Sequence, residues 1–499
     1  MSHFRWRWGL ISFVSGLVLA TIFPPLNLWW VAWMALVPLL YVVSQAASPR
    51  EAGWYGGLTG LGFSGPTFAF IFSLGHWVGW LIIVAWLVLS LFMAAYTALF
   101  AYIFKYIYQR NGGFFFAPMV WVFVEWLRSL GPFGLVPSLG YSQWQNLPLA
   151  QMAAYSGVIG VSFLVVFGNA LIAEIWLKKN YRLGLLGVLV LVLLWFSGLC
   201  TLNLPIATIG QGTNIALIQA NHPQAKKLDY ANLEEIKNDY LRLSEQSLLS
   251  HPAIIVWPET SIPFYVQNDR GFLDKLIRLA KDGQVNLILG LPRLDEKDNA
   301  FNSAMFISPN GQILGWVDKH NLVPFGEYLP LRSLLIPLFQ HIKALKYSVF
   351  MTRDFTQSRS VKPVETAGGR IGLGICSDSF FPAVFREFIR EKADYIFLIT
   401  NDSWYQGTSA PEKHVMVDVF RAIESGRYIS QCANTGQSVV IDPQGRVMAG
   451  IPADRPGILA ATIYKVPGKT IYAAWGDWPA YLSLIFLAVY LFRSRAVKI

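Results

Sequence analysis

Charge is what this sequence has least of. Asp, Glu, Lys and Arg make up 14% of its 499 residues, against 54% hydrophobic residues. A soluble globular chain carries roughly 25% charged residues, so the composition excludes a purely soluble protein and points to several membrane spans. Cysteine is also scarce: Cys200, Cys376 and Cys432 are too few for a disulfide framework. A phosphate loop, a dinucleotide-binding glycine fingerprint, a Cys-x-x-Cys pair and a His-Glu-x-x-His helix are all missing. Without these marks no nucleotide, cofactor or metal site is indicated. The net charge of +10 needs no nucleic acid, because most of it falls beside apolar runs.

Those runs are residues 9–23, 26–43, 54–73, 77–104, 114–127, 158–177 and 183–202, with a last one at 473–492. They predict about seven helical spans before residue 205 and about eight in all, each long enough or nearly so to cross the hydrocarbon layer. The 19 tryptophans suit aromatic belts at the two interfaces. Arg5 and Arg7 before the first run resemble a signal peptide, but no small-residue cleavage site follows, so the run reads as an uncleaved span. Basic residues alternate between connections. Arg5/Arg7, Arg50, Lys105/Arg110, Lys178/Lys179/Arg182 and Arg493/Arg495/Lys498 lie on one side, and the intervening connections have none. Both termini are therefore expected in the cytoplasm and residues 205–470 on the outer face. The expected organisation is 1–204, transmembrane helices; 205–470, an outer catalytic domain; 471–499, a closing span and cytoplasmic tail.

One span differs. Glu125 and Arg128 stand three residues apart at a depth where charge is expensive. Two readings stay open: a salt bridge near a helix end, or a polar lining that meets a lipid head group or the mouth of an active site. The connection after it, 131–144, is aromatic, uncharged and bent.

From about residue 203 the apolar runs shorten and charge returns. Strands are expected at 214–219, 253–257, 286–289, 370–375 and 395–400, with helices at 233–248, 272–281, 382–391 and 413–425. Pairs 304–308/313–317 and 438–442/447–450 read as hairpins. This alternation argues for an α/β domain of about 260 residues.

Three stretches of that domain each end a strand on a reactive side chain. After 253–257 comes Pro258-Glu259. After 313–317 comes Asp318-Lys319, leading into the bent loop Val323-Pro324-Phe325-Gly326-Glu327-Tyr328. After 369–375 comes Cys376-Ser377-Asp378. A thiol attacks only as thiolate; a carboxylate can take its proton, and an ammonium can steady the thiolate and then an oxyanion. Together these groups suffice for acyl transfer. A disulfide between Cys376 and Cys432 would disable the nucleophile; Cys432 reads as structural, and Cys200 as lipid-facing or packed.

Glu259, Lys319 and Cys376, in this order and at strand ends, resemble the nitrilase (carbon–nitrogen hydrolase) superfamily. The string 319–328, with its Leu-Val-Pro-Phe-Gly-Glu-Tyr core, is similar to the apolipoprotein N-acyltransferase family within it. The resemblance implies a four-layer α–β–β–α sandwich carried by the helical bundle. It also implies Cys376 as nucleophile, Glu259 as general base and Lys319 at the oxyanion, supported by Glu327, Asp378 and Asn302. Asn302 alternatively reads as a turn residue. Glu327 either stands near the attacked carbonyl or orients Lys319. Trp404, Phe325, Glu125 and Arg128 are candidates for substrate contact. The implied reaction moves an acyl chain from a membrane phospholipid, through a thioester, to the amino group of a diacylated apolipoprotein, in the bacterial inner membrane with the catalytic domain facing the periplasm. The alternative is a membrane-tethered lipid amidase or esterase using the same triad. Two positions depart from the family: Ser377-Asp378 replaces its usual Tyr-Glu, and Lys227-Leu228-Asp229 stands where it commonly has a tryptophan. Arg421, Glu424 and Arg427 read as a structural ion-pair face on a helix. The apolar segment 330–355 reads as a lid dipping into lipid, or alternatively as a packed insertion.

Overall fold

The structure, a computed structural model, describes residues 2–339 and 353–496. The chain divides into two compact units: Met1–Gly75 with Trp80–Pro205 and Trp475–Ile499, and His76–Gly79 with Ile206–Ala474.

The first unit is helical. Its helices include Ser2–Ala20, Val37–Gln45, Pro49–Thr67, Leu81–Tyr108, Ala117–Ser129, Ala153–Lys178, Tyr181–Asn203 and Trp478–Ala496, so each expected apolar run falls mostly on helix. Length separates them. Among the described residues Leu81–Tyr108, Ala153–Lys178 and Tyr181–Asn203 are long and apolar enough to cross a membrane. Pro49–Thr67 with Ala69–Val78 makes a fourth if that pair, bent by 50°, is one span. Trp6–Ala20, Trp29–Gln45 and Trp478–Arg493 are shorter. The run expected at 77–104 begins instead at Leu81, and His76–Gly79 clusters with the second unit. Apolar side chains on Leu81–Tyr108 and Tyr181–Asn203, such as Val88, Leu185 and Leu193, are exposed, as lipid-facing positions are.

The second unit holds two six-stranded sheets. In the first, β1 (Ile209–Gln219), β2 (Ile254–Trp257) and β3 (Asn286–Leu294) run parallel, with β4 (Ala300–Ile307) and β5 (Ile313–Asp318) antiparallel beyond β3. In the second, β6 (Val364–Thr366) pairs antiparallel with β7 (Gly369–Ile375), which runs parallel to β8 (Tyr395–Thr400) and β9 (Ile429–Ala433). Next come β10 (Ser438–Ile441) and β11 (Val447–Ile451). β12 (Gly457–Lys465) returns to pair antiparallel with β1 in the first sheet. Strands β6, β9 and β12 were not expected: β6 is three residues long, β9 is only five residues long and carries the polar Ser430 and Gln431, and β12 alternates only weakly.

Apolar residues of both sheets, among them Leu217, Val256, Ile288, Leu373 and Phe397, share one core between them. The other face of the first sheet packs on helices Leu233–Ser247 and Arg270–Gly283 through Trp257, Leu287, Tyr240 and Leu276. Helices Pro382–Arg390 and Ala410–Ser425 cover the second sheet. The layers are thus helix, sheet, sheet, helix, the expected nitrilase-like sandwich. β2 is buried on both faces, which explains its unbroken apolar run.

Of the segment 330–355, residues 330–339 and 353–355 are described: Leu334 on the helix Arg332–Phe339 is exposed, Asp354 pairs with Arg332 at 2.7 Å, and the Phe355 N–H donates to the Glu327 carbonyl at 2.8 Å; the part of the lid expectation on 340–352 lies outside the described residues. Arg427 lies past its helix and donates to the carbonyls of Ala393 and Gly468, so it is no part of an ion-pair face; Arg421 and Glu424 do pair, at 2.9 Å, but fully buried.

Candidate active site

β2, β5 and β7 all deliver their last side chains to one place. β2 stops because Pro258 has no N–H to continue the ladder, and Glu259 follows. Gly290 of β3 makes room for this exit: a Cβ there would stand 2.1 Å from the Pro258 carbonyl oxygen. Lys319 is the first residue past β5. Its N–H still bonds the Asn302 carbonyl at 2.8 Å. The preceding Asp318 is clamped by Arg293 through two contacts of 2.7 and 2.5 Å. Cys376 follows β7 directly and has φ 49°, a left-handed conformation costly for a non-glycine residue. The chain turns away there into the short helix Cys376–Phe380.

Lys319 Nζ donates to Glu259 Oε1 at 3.1 Å and to Glu327 Oε1 at 3.0 Å. Asn302 Nδ2 donates to the same two oxygens, at 2.7 Å each. Glu259 Oε2 accepts from the Asn401 N–H at 2.9 Å, and Glu327 Oε2 from the Val323 N–H at 2.8 Å. Asn302 is thus a strand residue joining two carboxylates, not a turn residue. Lys319 is 1% exposed and Glu259 5%.

The charges of this cluster act on the sulfur. Burial pushes the Cys376 thiol well above its ordinary value, and Glu259 pushes it further, while Lys319 pulls it back. Burial disfavours the Lys319 ammonium, but Glu259 and Glu327 outweigh that and hold its pKa well above the ordinary value. Burial raises the Glu327 carboxyl, against Lys319 and with Glu259. Burial and Glu259 thus favour the protonated thiol, whose proton must leave as the sulfur attacks.

The remaining expected residues separate. Asp378 is fully buried and accepts from the N–H groups of Asn321 (2.7 Å), Ile375 (3.0 Å) and His320 (3.4 Å). It ties the end of β7 to the segment after Lys319 without bonding the three reactive groups. Phe325 has φ 61° and is exposed at the tip of the bent loop. Trp404 is partly exposed and meets Trp77 edge-on, 5.5 Å between rings. Glu125 and Arg128 belong to the helical unit. Glu125 Oε1 accepts from Trp121 Nε1 (2.8 Å) and the Leu139 N–H (2.7 Å), and Arg128 donates to the Leu135 carbonyl and the Ser138 hydroxyl, both at 3.1 Å. No ion pair joins them, contrary to the salt-bridge reading; they hold the bent connection and line a small cavity of about 30 Å³.

Cys200 and Cys432 are free thiols like Cys376. Cys432 is buried between the carbonyls of Ile218 and Val256.

Several neighbours stand in family-like order in the sequence but were given no role at the site. Tyr405 lies close enough that, after burial, the Cys376 and Asp402 charges are the main ones raising its hydroxyl. His414 faces Asp402 Oδ1 at 3.1 Å through Nδ1 and the Cys376 carbonyl at 3.4 Å through Nε2. Burial works against its charge, but Asp402 outweighs burial and lifts its pKa to about 9. Gly436 admits Asp402: a Cβ there would stand 2.3 Å from Oδ2. A Trp-shaped or His-shaped motif can be noticed in a sequence; a backbone N–H such as that of Asn401 cannot.

Residues 15–171 match the family of apolipoprotein N-acyltransferase N-terminal domains, and residues 214–466 the carbon-nitrogen hydrolase family. An apolipoprotein N-acyltransferase of Geobacter metallireducens is 31% identical over 98% of this chain and 96% of its own. One of Methylococcus capsulatus is 31% identical over 94% of this chain and 93% of its own. A carbon-nitrogen hydrolase of Helicobacter pylori, a solved structure, overlaps 50% of this chain and 88% of its own at 18% identity and a TM-score of 0.39.

Proposed function

The chain belongs to the apolipoprotein N-acyltransferase family, and we propose that Cys376 is its nucleophile, Glu259 its general base and Lys319 its oxyanion partner. The enzyme acylates the amino group of lipoproteins. One observation carries the residue assignment: Lys319 Nζ bonds Glu259 Oε1 at 3.1 Å, and both charges act on the Cys376 thiol.

The reaction has two halves. Glu259 takes the proton of Cys376 as Sγ attacks the ester carbonyl of a phospholipid. The C–O bond breaks, the lysophospholipid leaves with that proton, and a thioester remains. The amino group of an S-diacylglyceryl cysteine then attacks the thioester. The C–S bond breaks, the amide forms, and Glu259 passes the amine proton to Sγ. Two substrates that share one site in turn give ping-pong kinetics. In each half Lys319 faces the carbonyl oxygen as it gains charge. Glu327 and Asn302 hold Lys319 and Glu259 in place, and Asp378 holds the loop behind them.

Both substrates are lipids, which suits a membrane-tethered site. We place residues 205–470 on the periplasmic side of the bacterial inner membrane, 1–204 and 471–499 in or beside it, with about eight crossings. The alternation of basic connections supports this. Trp404 and Phe325 are proposed to touch substrate, because both are aromatic and at least partly exposed, Phe325 on the bent loop and Trp404 on the short 3-10 helix Ser403–Tyr405. Glu125 and Arg128 are proposed to meet a lipid head group, as charged groups at a depth in the helical unit where charge is expensive.

The test is where the acyl chain goes. The full chain in detergent micelles receives acyl-labelled phospholipid and a synthetic diacylglyceryl-cysteine peptide. Label in amide linkage to the peptide is expected; free fatty acid with no acylated peptide would make the enzyme a hydrolase instead.

A further inference from the structure

Lys227 is a buried ammonium that this reaction leaves unused. It sits in the short helix Gln224–Leu228, is 3% exposed, and its Nζ donates to Asn401 Oδ1 at 2.8 Å. The adjacent Lys226 pairs with Glu235 at 2.7 Å. Among the described residues Lys227 has no carboxylate in ion-pair contact; the acid whose charge reaches it is Glu259. Burial draws its pKa down to about 7, with Glu259 opposing. An ammonium buried against one neutral acceptor is costly. Packing alone would be served as well by an apolar side chain of similar length.

Asn401 connects this lysine to the reaction. Its Oδ1 also accepts from Asn434 Nδ2 at 3.1 Å, its Nδ2 donates to Gln224 Oε1 at 2.9 Å, and its N–H holds Glu259 Oε2 at 2.9 Å. Lys227 and the proposed base are thus bonded to opposite ends of one residue. We infer that Lys227 is a positioning residue for Glu259: through Asn401 it fixes the N–H that grips the carboxylate, and its ammonium favours the ionised base. The inference rests on the reading of Glu259 as that base.

Other charges face the same groups. Lys319 bonds Glu259 and Glu327, and the charges of Glu259, Lys319, Asp402 and Glu327 all reach the Cys376 thiol. On the Lys227 side are Lys226 with Glu235, and His222 with Asp239 at 3.6 Å. Lys227 hydrogen-bonds neither Glu259 nor Cys376, so substituting it tests the charge without removing a direct contact.

The experiment measures the pH dependence of Cys376 acylation by fluorescent phospholipid in micelles, with the full chain. In Lys227→Met and Lys227→Gln the acid limb is expected to move up by about one pH unit, because the carboxylate loses a nearby cation. Lys227→Arg, which restores the charge, is expected to keep the wild-type limb. Melting temperatures check folding, and the two neutral variants guard against the failure of either one. An acid limb that stays in place in the neutral variants overturns the inference, whether or not the rate falls. Glu259→Gln separates the two readings. If it is inactive at every pH while Lys227→Met has the wild-type limb, only the Lys227 assignment fails; if it acylates at the wild-type rate, both fail.

Discussion

Lys319 and Asn302 grip the same two atoms. Oε1 of Glu259 and Oε1 of Glu327 each accept from Lys319 Nζ, at 3.1 and 3.0 Å, and from Asn302 Nδ2, at 2.7 Å each. One ammonium and one amide thus hold two carboxylates together in a closed ring. The ammonium balances only one of the two charges, so the amide restrains the second. Asn302→Leu removes two charge-assisted hydrogen bonds worth about 1.5–3 kcal/mol each and frees both carboxylates. Acyl transfer is expected to fall by at least about tenfold, with a lower melting temperature. Unchanged turnover would mean that Lys319 alone sets the geometry.

Removing Lys319 is expected to be worse. Lys319→Met leaves two buried carboxylates facing each other without a cation, a change of about 3–5 kcal/mol for a broken buried pair. The melting temperature should drop and rise again on acidification, as one carboxylate takes a proton. A variant as stable as wild type at pH 7 would contradict the buried pairing.

Thiol reactivity and acyl transfer should move in opposite directions in Glu259→Gln. Burial comes first in raising the Cys376 thiol, and the Glu259 charge adds to it. Removing that charge lowers the thiol pKa, so alkylation of Cys376 by iodoacetamide at pH 8 should quicken. Acyl transfer should slow by about 10²–10⁴, the usual share of a general base. Peptide mass spectrometry separates Cys376 from the exposed Cys200. A fall in both rates would point to lost structure instead.

His414 gives a stability profile with a definite sign. Its folded pKa is raised from 6.5 to about 9, with burial opposing and Asp402 outweighing it. Its contribution is therefore complete below pH 6.5 and lost as pH rises through 9. Buried Asp418, raised by desolvation from 3.8 to about 7, tilts stability the same way at lower pH. The melting temperature should fall between pH 6.5 and 9, and His414→Gln should flatten that fall. A profile that rises over this range would contradict the His414–Asp402 pair.

Gly290 tests how the proposed base, Glu259, is placed. In Gly290→Ala the new Cβ would meet the Pro258 carbonyl oxygen at 2.1 Å and lie 2.8 Å from the Glu259 Cα. The exit of β2 must then shift. Overpacking of this kind costs about 1–3 kcal/mol, and a displaced base should reduce turnover about a hundredfold. Full activity would mean that the Glu259 segment is free to move.

Much of this site was legible because its groups sit at strand ends. Glu259, Lys319 and Cys376 each follow a short apolar run, and such runs report both where a strand stops and what it then presents. Helices such as Leu233–Ser247 and Arg270–Gly283 were equally plain from their apolar stripe. What sequence could not supply was reach across the fold. Asn401 acts through its backbone N–H, Lys227 meets Asn401 across 174 positions, and Asp378 is turned toward main-chain donors instead of the sulfur. The helical unit was legible as apolar runs but not as crossings. Ala117–Ser129 spans 13 residues, about 20 Å of rise, short of the hydrocarbon thickness. Glu125 and Arg128 at spacing three suggested an ion pair, yet Arg128 donates to the connection that follows and Glu125 divides its bonds between that connection and Trp121.

The most direct measurement is the mass of the Cys376 peptide after the full chain is incubated with acyl-labelled phospholipid and no acceptor. An added acyl mass on Cys376, released by neutral hydroxylamine and absent in Cys376→Ala, is the expected result. Labelled product formed by Cys376→Ala, or a wild-type Cys376 that stays unmodified while lysophospholipid accumulates, would contradict a thioester at this sulfur.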